Sequence, residues 1–507
     1  MIFLRGRRRM LLAGAGGALA LLAAVAVPAS AQIAAPAAAG VKLAGGPLGM
    51  NIAPWDALYT GSSGAVIQGL MKKAGINQIR YGGGVTADYF NWKSNTDIGR
   101  CLPNSAPAEY NAKCAVHDAL YYGLFSKNAR AIHAQSFVTV NYGSGTPALA
   151  AAWVKQSKTK TGQQVALWEI GNENYGCWEV NNELASAPAS FKGYKEGVNA
   201  DCPMVVQGLD AGMTTMATSY AANAPKFMAA MKAVSSSAQL GVPWAFGNDV
   251  GGASVGDNTE WNNTVIPAVR KYLAFVDAHW YPFNFGGNMG GKNPTAAQVL
   301  KSLFQIAPEY TKTRAQLNAL APAAKIVVGE TGVTYLPTTI PCTPVGALFA
   351  AGDALSWLAA GAESVDWWQL NSYGNTGSKC SKPDEGMFTS AAKPVPQTPY
   401  IGYLLASALT KPGAQLRTLT TSSTANVLAF QSVSNGKVAV ALINTNTKSA
   451  IHITFANSLH GKLNTLTYKA AGQNSSNTRT TAGVTTAAAV AKGLTLPAES
   501  IMVLTTT

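Results

Sequence analysis

Between residues 48 and 409, short apolar runs alternate with longer stretches in which apolar residues recur at helical spacing. Runs of four to eight such residues bounded by glycine or polar positions predict buried strands. They fall at 48–52, 77–81, 137–141, 165–170, 239–246, 274–280, 325–330 and 364–370. The spacing predicts helices over 65–74, 116–131, 147–157, 217–235, 264–273, 295–317, 345–360 and 399–409. Eight strands, each followed by a helix, predict a (β/α)8 TIM barrel, whose functional groups gather where the strands end. From Gln415 the period changes to two, as in Ala439-Val440-Ala441-Leu442-Ile443 after the Asn435-Gly436 turn, which predicts a small C-terminal antiparallel β-sandwich. The expected division is 1–31 signal peptide, 32–44 linker, 45–412 barrel and 413–507 sandwich, with the Ser/Thr/Ala-rich stretch 472–489 a loop.

The N-terminus adds an address. Arg5, Arg7, Arg8 and Arg9 precede an apolar run from Met10 to Val27, and Ala29-Ser30-Ala31 reads as an A-x-A cleavage site. Arg8-Arg9 before Met10-Leu11-Leu12 also fits a twin-arginine signal. No later run reaches the roughly 18 apolar residues of a membrane span, so the expectation is a secreted protein with no membrane contact after cleavage. The whole chain carries +14, and the part after residue 31 about +10. Its lysines, such as Lys72-Lys73, Lys155, Lys158 and Lys160, are dispersed along the sequence instead of forming one arm, which argues against nucleic acid and leaves an anionic polysaccharide open. The six cysteines are expected to pair locally as Cys101 with Cys114, Cys177 with Cys202 and Cys342 with Cys380, an arrangement that suits an exported chain and lacks metal-binding spacing.

The strand ends carry the chemistry. The fourth strand breaks at Gly171 into Asn172-Glu173, beside Tyr175 and Trp178, and the seventh stops at Glu330. Placed in a ring, the tips bring together Arg80, Asn141, Asn172, Glu173, His279, Tyr281 and Glu330, with Trp367 or its neighbour Trp368 on the wall; Trp367 is the residue assigned to the site. Two carboxylates across a barrel mouth are the apparatus of glycoside hydrolysis. Arg80 and Tyr281 are expected to keep Glu330 ionised, and aromatic walls to keep Glu173 protonated. Glu169 lies deeper on the same strand and is expected to have a structural partner, whereas Glu179 and Glu183 are expected to be solvated.

These motifs carry a resemblance. Arg80-Tyr81-Gly-Gly-Gly with Ala87-Asp88-Tyr89 and Trp92, then Trp168-Glu-Ile-Gly-Asn-Glu-Asn-Tyr-Gly, His279-Trp-Tyr-Pro and Val328-Gly-Glu330 resemble the arabinofuranosidase-like retaining glycosidases. The resemblance implies Glu173 as acid/base, Asn172 as the ligand of the neighbouring sugar hydroxyl and Glu330 as nucleophile. It also implies an α-L-arabinofuranosidase, with β-xylosidase or β-glucuronidase activity as alternatives. Gly82-Gly83-Gly84-Val85 departs from the Pro-Gly-Gly-polar pattern usual in arabinofuranosidases, which puts the fit of the sugar pocket in question.

Rival chemistries fare worse. Gly252-Ala-Ser254-Val-Gly256 matches a serine-hydrolase elbow without the required strand and helix. Gly82-x-Gly84-x-x-Ala87 lacks the acidic partner of a dinucleotide site. His117, His133, His279, His452 and His460 show no metal-ligand spacing, so neither a metal nor a cofactor is expected. A carbohydrate-binding barrel without catalysis is the rival of another class.

Overall fold

The structure is a computed structural model. It describes residues 29–33, 40–97, 116–160, 162–176, 179, 210–246, 259–283, 294–334, 338–371, 385–422, 426–455, 459–469 and 480–507.

Eight parallel strands close into a barrel: β1 Leu48–Ile52, β2 Gln78–Tyr81, β3 Gln135–Val140, β4 Leu167–Ile170, β5 Leu240–Trp244, β6 Leu273–Trp280, β7 Lys325–Thr331 and β8 Val365–Trp367. Their order around the barrel is their order in the chain, with β8 paired to β1. Around them lie α1 Gly61–Lys73, α2 Tyr122–Ala131, α3 Pro147–Thr159, α4 Asp210–Val234, α5 Thr259–Val269, α6 Ala296–Ser302, α7 Ile306–Leu320, α8 Val345–Ala360 and α9 Thr398–Ala406. The helix expected over 295–317 is therefore two helices. Helix α8 is buried along nearly its whole length, because the barrel covers one side and the second domain and α9 the other.

Alternation along each strand sends one set of side chains inward. At the base Phe137, Phe275 and Val327 form a separate apolar plug. One pleat higher the interior turns polar, with Arg80, Glu169 and Asp277 all buried. Glycines make room for that layer: a Cβ on Gly329 would meet the Asp277 carboxylate at 2.2 Å, and one on Gly49 would meet that of Asp366 at 1.7 Å.

The second domain is a two-sheet sandwich. Its seven-stranded sheet runs Thr481–Thr486, Lys462–Lys469, Ser500–Thr506, Lys437–Asn444, Val427–Ser434, Gln415–Thr418 and Val41–Lys42, each pair antiparallel. In the smaller sheet Ile451–Phe455 lies between Ala29–Ile33, parallel to it, and Leu494–Leu496, antiparallel. Two expectations change here. The segment read as a linker supplies strand residues at both its ends, and Ala31 and Ile33 are buried in the sandwich core. The described part of the stretch read as a loop is a strand followed by a short helix, Ala487–Lys492. Cys342 is the one cysteine among the described residues; the partners in the three expected pairings, and residues 1–28 of the expected signal, lie outside them.

Candidate active site

Strand β7 delivers Glu330 by breaking its own alternation. Ala278 of β6 faces Val328, but His279 faces Glu330, so Gly329 is bulged out of register. A bulge resets which face the next side chain occupies. Val327 packs inward, Glu330 turns into the mouth, and Thr331 points outward to donate its hydroxyl to Asp353 of α8 at 2.9 Å. The bulge is pinned on both sides: the Gly329 N–H donates to Asp277 at 2.6 Å, and its carbonyl accepts from the Asn51 side chain at 2.7 Å.

Strand β4 delivers Glu173 on a turn. Gly171 has φ +73°, and a Cβ there would lie 2.0 Å from Asn174 Oδ1, so the strand can stop in this way only at glycine. Glu173 itself is left-handed, with φ +40°. Buried Asp88, from the loop after β2, holds the turn in place. One of its oxygens accepts the N–H groups of Tyr142 and Gly143 at the tip of β3, each at 3.1 Å. The other accepts the Asn172 N–H at 3.1 Å and the Asn174 side-chain amide at 2.9 Å.

Arg80 ties the two tips together. Its Nη1 donates to Glu330 Oε1 at 2.7 Å and to Asn51 at 3.0 Å; its Nη2 donates to Glu169 and to Asn172 Oδ1, both at 2.8 Å. Tyr281 donates to the other Glu330 oxygen at 2.8 Å. Tyr175 donates to Glu173 Oε1 at 3.0 Å, and His279 Nδ1 lies 2.8 Å from that oxygen and 3.4 Å from Glu330 Oε2. One oxygen of Glu173 and one of Glu330 stand within 4.8 Å of each other.

Burial pushes the Glu330 carboxyl above its usual range, against the opposing pull of the His279 and Arg80 charges and the Tyr281 hydroxyl. Burial also works against a charged His279, but the Glu330 and Glu173 carboxylates and hydrogen bonds to Asp277 and Glu173 hold its imidazole as a cation well above the ordinary histidine range. Glu169 is raised to about 8, first by burial and then by Asp277, with Arg80 opposing.

Arg80, Asn172, Glu173, Tyr175, His279, Tyr281 and Glu330 thus meet as the sequence predicts, and Glu169 has the structural partner expected of it. Other assignments change. Trp367 faces away from the mouth, packing against Phe349 of α8 and Tyr403 of α9. The inward side chain of β8 is Asp366, so the next inward residue is Trp368, whose ring a Cβ on Gly84 would meet at 2.8 Å. Asn141 is absorbed by its own turn, accepting from the N–H groups of Ser144 and Gly145 and donating to the Phe90 carbonyl. Glu179, expected to be solvated, is buried and accepts from the Asn172 amide at 2.8 Å. Glu183 and Trp178 lie outside the described residues. In place of bare aromatic walls, Glu173 has a hydroxyl and an imidazole beside it, and its side chain is 18% exposed against 6% for Glu330. Nothing in the sequence marks Asn51 and Asp277 as supports of the site, and Asp88, part of the motif after β2, gains its role only from the fold.

Glu173, His279 and Glu330, and one level down Glu169, Asp277 and His279, are clustered closely enough to share a cation. The Arg80 guanidinium already lies against Glu330, Glu169 and Asp277, where it supplies the positive charge a metal would bring.

No protein-family model matches the chain, and a search of curated proteins finds no match in sequence. Among solved structures the chain resembles an α-L-arabinofuranosidase from Thermotoga maritima in its arabinose complex, with a TM-score of 0.66 and 14% identity over 94% of this chain and 99% of that one. A family 51 α-L-arabinofuranosidase from Bifidobacterium longum matches with a TM-score of 0.65 and 15% identity over 95% and 100% of the two chains. A 4-O-α-L-rhamnosyl-β-D-glucuronidase from Fusarium oxysporum matches with a TM-score of 0.63 and 15% identity over the same shares. At these identities the likeness is one of fold.

Proposed function

We propose that this chain is a secreted retaining glycoside hydrolase that acts on polysaccharide or oligosaccharide, with α-L-arabinofuranosides as its substrates. The observation that carries the reading is the pair of facing carboxylates, Glu173 and Glu330, with oxygens within 4.8 Å. Retaining enzymes hold their two carboxyl groups about 5 to 5.5 Å apart, whereas inverting enzymes need roughly 6.5 to 9.5 Å to admit a water. An oxygen–oxygen approach of this order is compatible with direct attack by one carboxylate.

The supports divide the roles. Glu330 is fixed through both oxygens, by Arg80 and Tyr281, and is aimed by the bulge. A nucleophile must meet the anomeric carbon along one line, so a fixed carboxylate suits attack. Glu173 is more exposed, and Tyr175 and His279 are among the groups that meet its carboxylate. It protonates the departing glycosidic oxygen, then deprotonates the water that releases the sugar from Glu330. Asn172, held between Arg80 and Glu179, binds the hydroxyl next to the reacting carbon in this reading.

A panel of nitrophenyl glycosides tests the reading. The α-L-arabinofuranoside should be cleaved faster than the β-D-xyloside or the β-D-glucuronide. A preference for the glucuronide would move the substrate toward that of the Fusarium oxysporum neighbour. Silence across the panel, with no sugar released from polysaccharides, would leave a carbohydrate-binding barrel without catalysis.

A further inference from the structure

The lysines that look dispersed along the sequence are gathered by the fold. Every connection from a barrel helix back to the next strand runs across the end of the barrel opposite the mouth. Helix α1 reaches that end with Lys72 and Lys73, α2 with Arg130, and α3 with Lys158, followed by Lys160. Arg270 and Lys271 join α5 to β6, and Lys325 opens β7. All of these side chains are exposed. Among the described residues the one acid on these connections is Glu363, and it is ion-paired with Lys325.

The helix dipole explains part of this, since cations are favoured in a helix's last turn. It also favours Lys160, the C-cap of α3, and Arg270, the residue after α5, but it does not exclude acids from the connecting loops. Meanwhile the acids Asp56, Asp88, Glu173, Glu179 and Glu330 belong to the mouth or to the loops above it. Among the described residues the base is therefore a broad cationic face. A surface of one sign concentrates polymers of the other sign and steers their approach.

We propose that this base is a docking face for an anionic polysaccharide, a polymer of uronic acid residues, distinct from the sugar bound at the mouth. Lysine predominates on the face, and its compact charge suits diffuse pairing with spaced carboxylates better than the forked recognition of phosphate that arginine provides. Bases would call for stacking aromatics, and a bilayer for an apolar side chain to insert. The exposed large apolar residues of the described chain are Val66, Tyr121 and Val484, in the body of α1, at the start of α2 and on a sandwich strand, so none of them serves the base. Docked this way, the protein rests on the acidic polymer with its mouth turned outward, toward neutral chains in the same matrix.

The test is affinity electrophoresis of the full chain in gels containing polygalacturonate, dextran, single-stranded DNA or phosphatidylglycerol vesicles. Polygalacturonate should retard the protein, less so as salt rises, and dextran should not. Replacing Lys72, Lys73, Arg270 and Lys271 by glutamine should weaken that binding about tenfold or more. The matched change of Lys437, Lys448, Lys462 and Lys469 on the sandwich, which removes the same number of charges, should leave it intact, and nitrophenyl glycoside hydrolysis should be unaltered in both variants. Circular dichroism at matched temperature separates lost binding from lost folding, and single replacements at Lys72 and Lys271 should each give a partial loss. Absence of retardation, equal loss in the sandwich variant, or tighter binding of DNA or vesicles through the same lysines would overturn the proposal. Because binding is read without turnover, its failure is separate from failure of the glycosidase reading.

Discussion

The tips of β4 and β7 present the same side chain by opposite means. Glu330 sits within a strand, aimed by a bulge whose N–H and carbonyl are both tied to interior side chains, and its two oxygens are taken by Arg80 and Tyr281. Glu173 sits past a strand on a left-handed turn whose other residues are tied down, Asp88 taking the Asn172 backbone and the Asn174 side chain and Glu179 the Asn172 side chain, while Tyr175 and His279 meet its carboxylate. One carboxylate is aimed by a bulge within its strand, and the other is carried on a fixed platform beyond its strand. The difference matches the roles proposed for the two, since attack on carbon needs one rigid approach whereas proton transfer needs a group that can change charge.

The largest effect expected from breaking this contrast is at Glu330. Glu330→Gln should lower turnover by about 10⁴-fold or more on every substrate, because no leaving group compensates for a missing nucleophile. Initial rates on a dinitrophenyl and a nitrophenyl glycoside should fall alike. Glu173→Ala should cost about 10²- to 10⁴-fold on a natural oligosaccharide, and far less when the leaving group needs no proton. Equal losses on both substrate types in this variant would erase the distinction between the tips.

Effects on the platform come next. Asp88→Asn should reduce turnover by about 10²-fold, with the larger loss on poor leaving groups, because it frees the tips of β3 and β4 together. Glu179→Gln, which keeps an acceptor for the Asn172 amide, should cost less. If the Asp88 variant instead lost activity evenly across leaving groups, the platform would not act through Glu173.

The smallest expected effect concerns stability behind β7. Burial raises the Asp353 carboxyl to about 8, against the Thr331 hydroxyl that points to it. The folded protein keeps a proton there that an unfolded chain gives up above about pH 4. The stabilisation is thus complete at low pH and is lost as pH rises through 8. Asp353→Asn should make the fall in melting temperature between pH 5 and pH 8 shallower, as thermal unfolding monitored by fluorescence would show. An unchanged slope would remove Asp353 from that account.

Much of this arrangement could be read in the sequence. Apolar runs ending in glycine fixed the barrel, and the strand ends named seven of the residues that meet at its mouth. The failures have physical causes. Periodicity shows that Trp367 and Trp368 face opposite ways but not which way, and the inward Asp366 decides it. Glu179 looks like an ordinary surface acid until the turn folds back and buries it on Asn172. Asn51 and Asp277 act through a bulge at Gly329 that has no local signature. The basic base was hidden because its lysines are brought together by topology, one connection at a time.

The central claim is that Glu173 handles the proton while Glu330 bonds to the sugar. The most direct measurement is the anomeric configuration, by proton NMR, of the glycosyl azide formed when azide is added to Glu173→Ala with a dinitrophenyl glycoside. The account predicts restored turnover and an azide of retained configuration, because the anion attacks an intermediate held on Glu330. An inverted azide from this variant, or rescue to a retained product in Glu330→Ala instead, would contradict it.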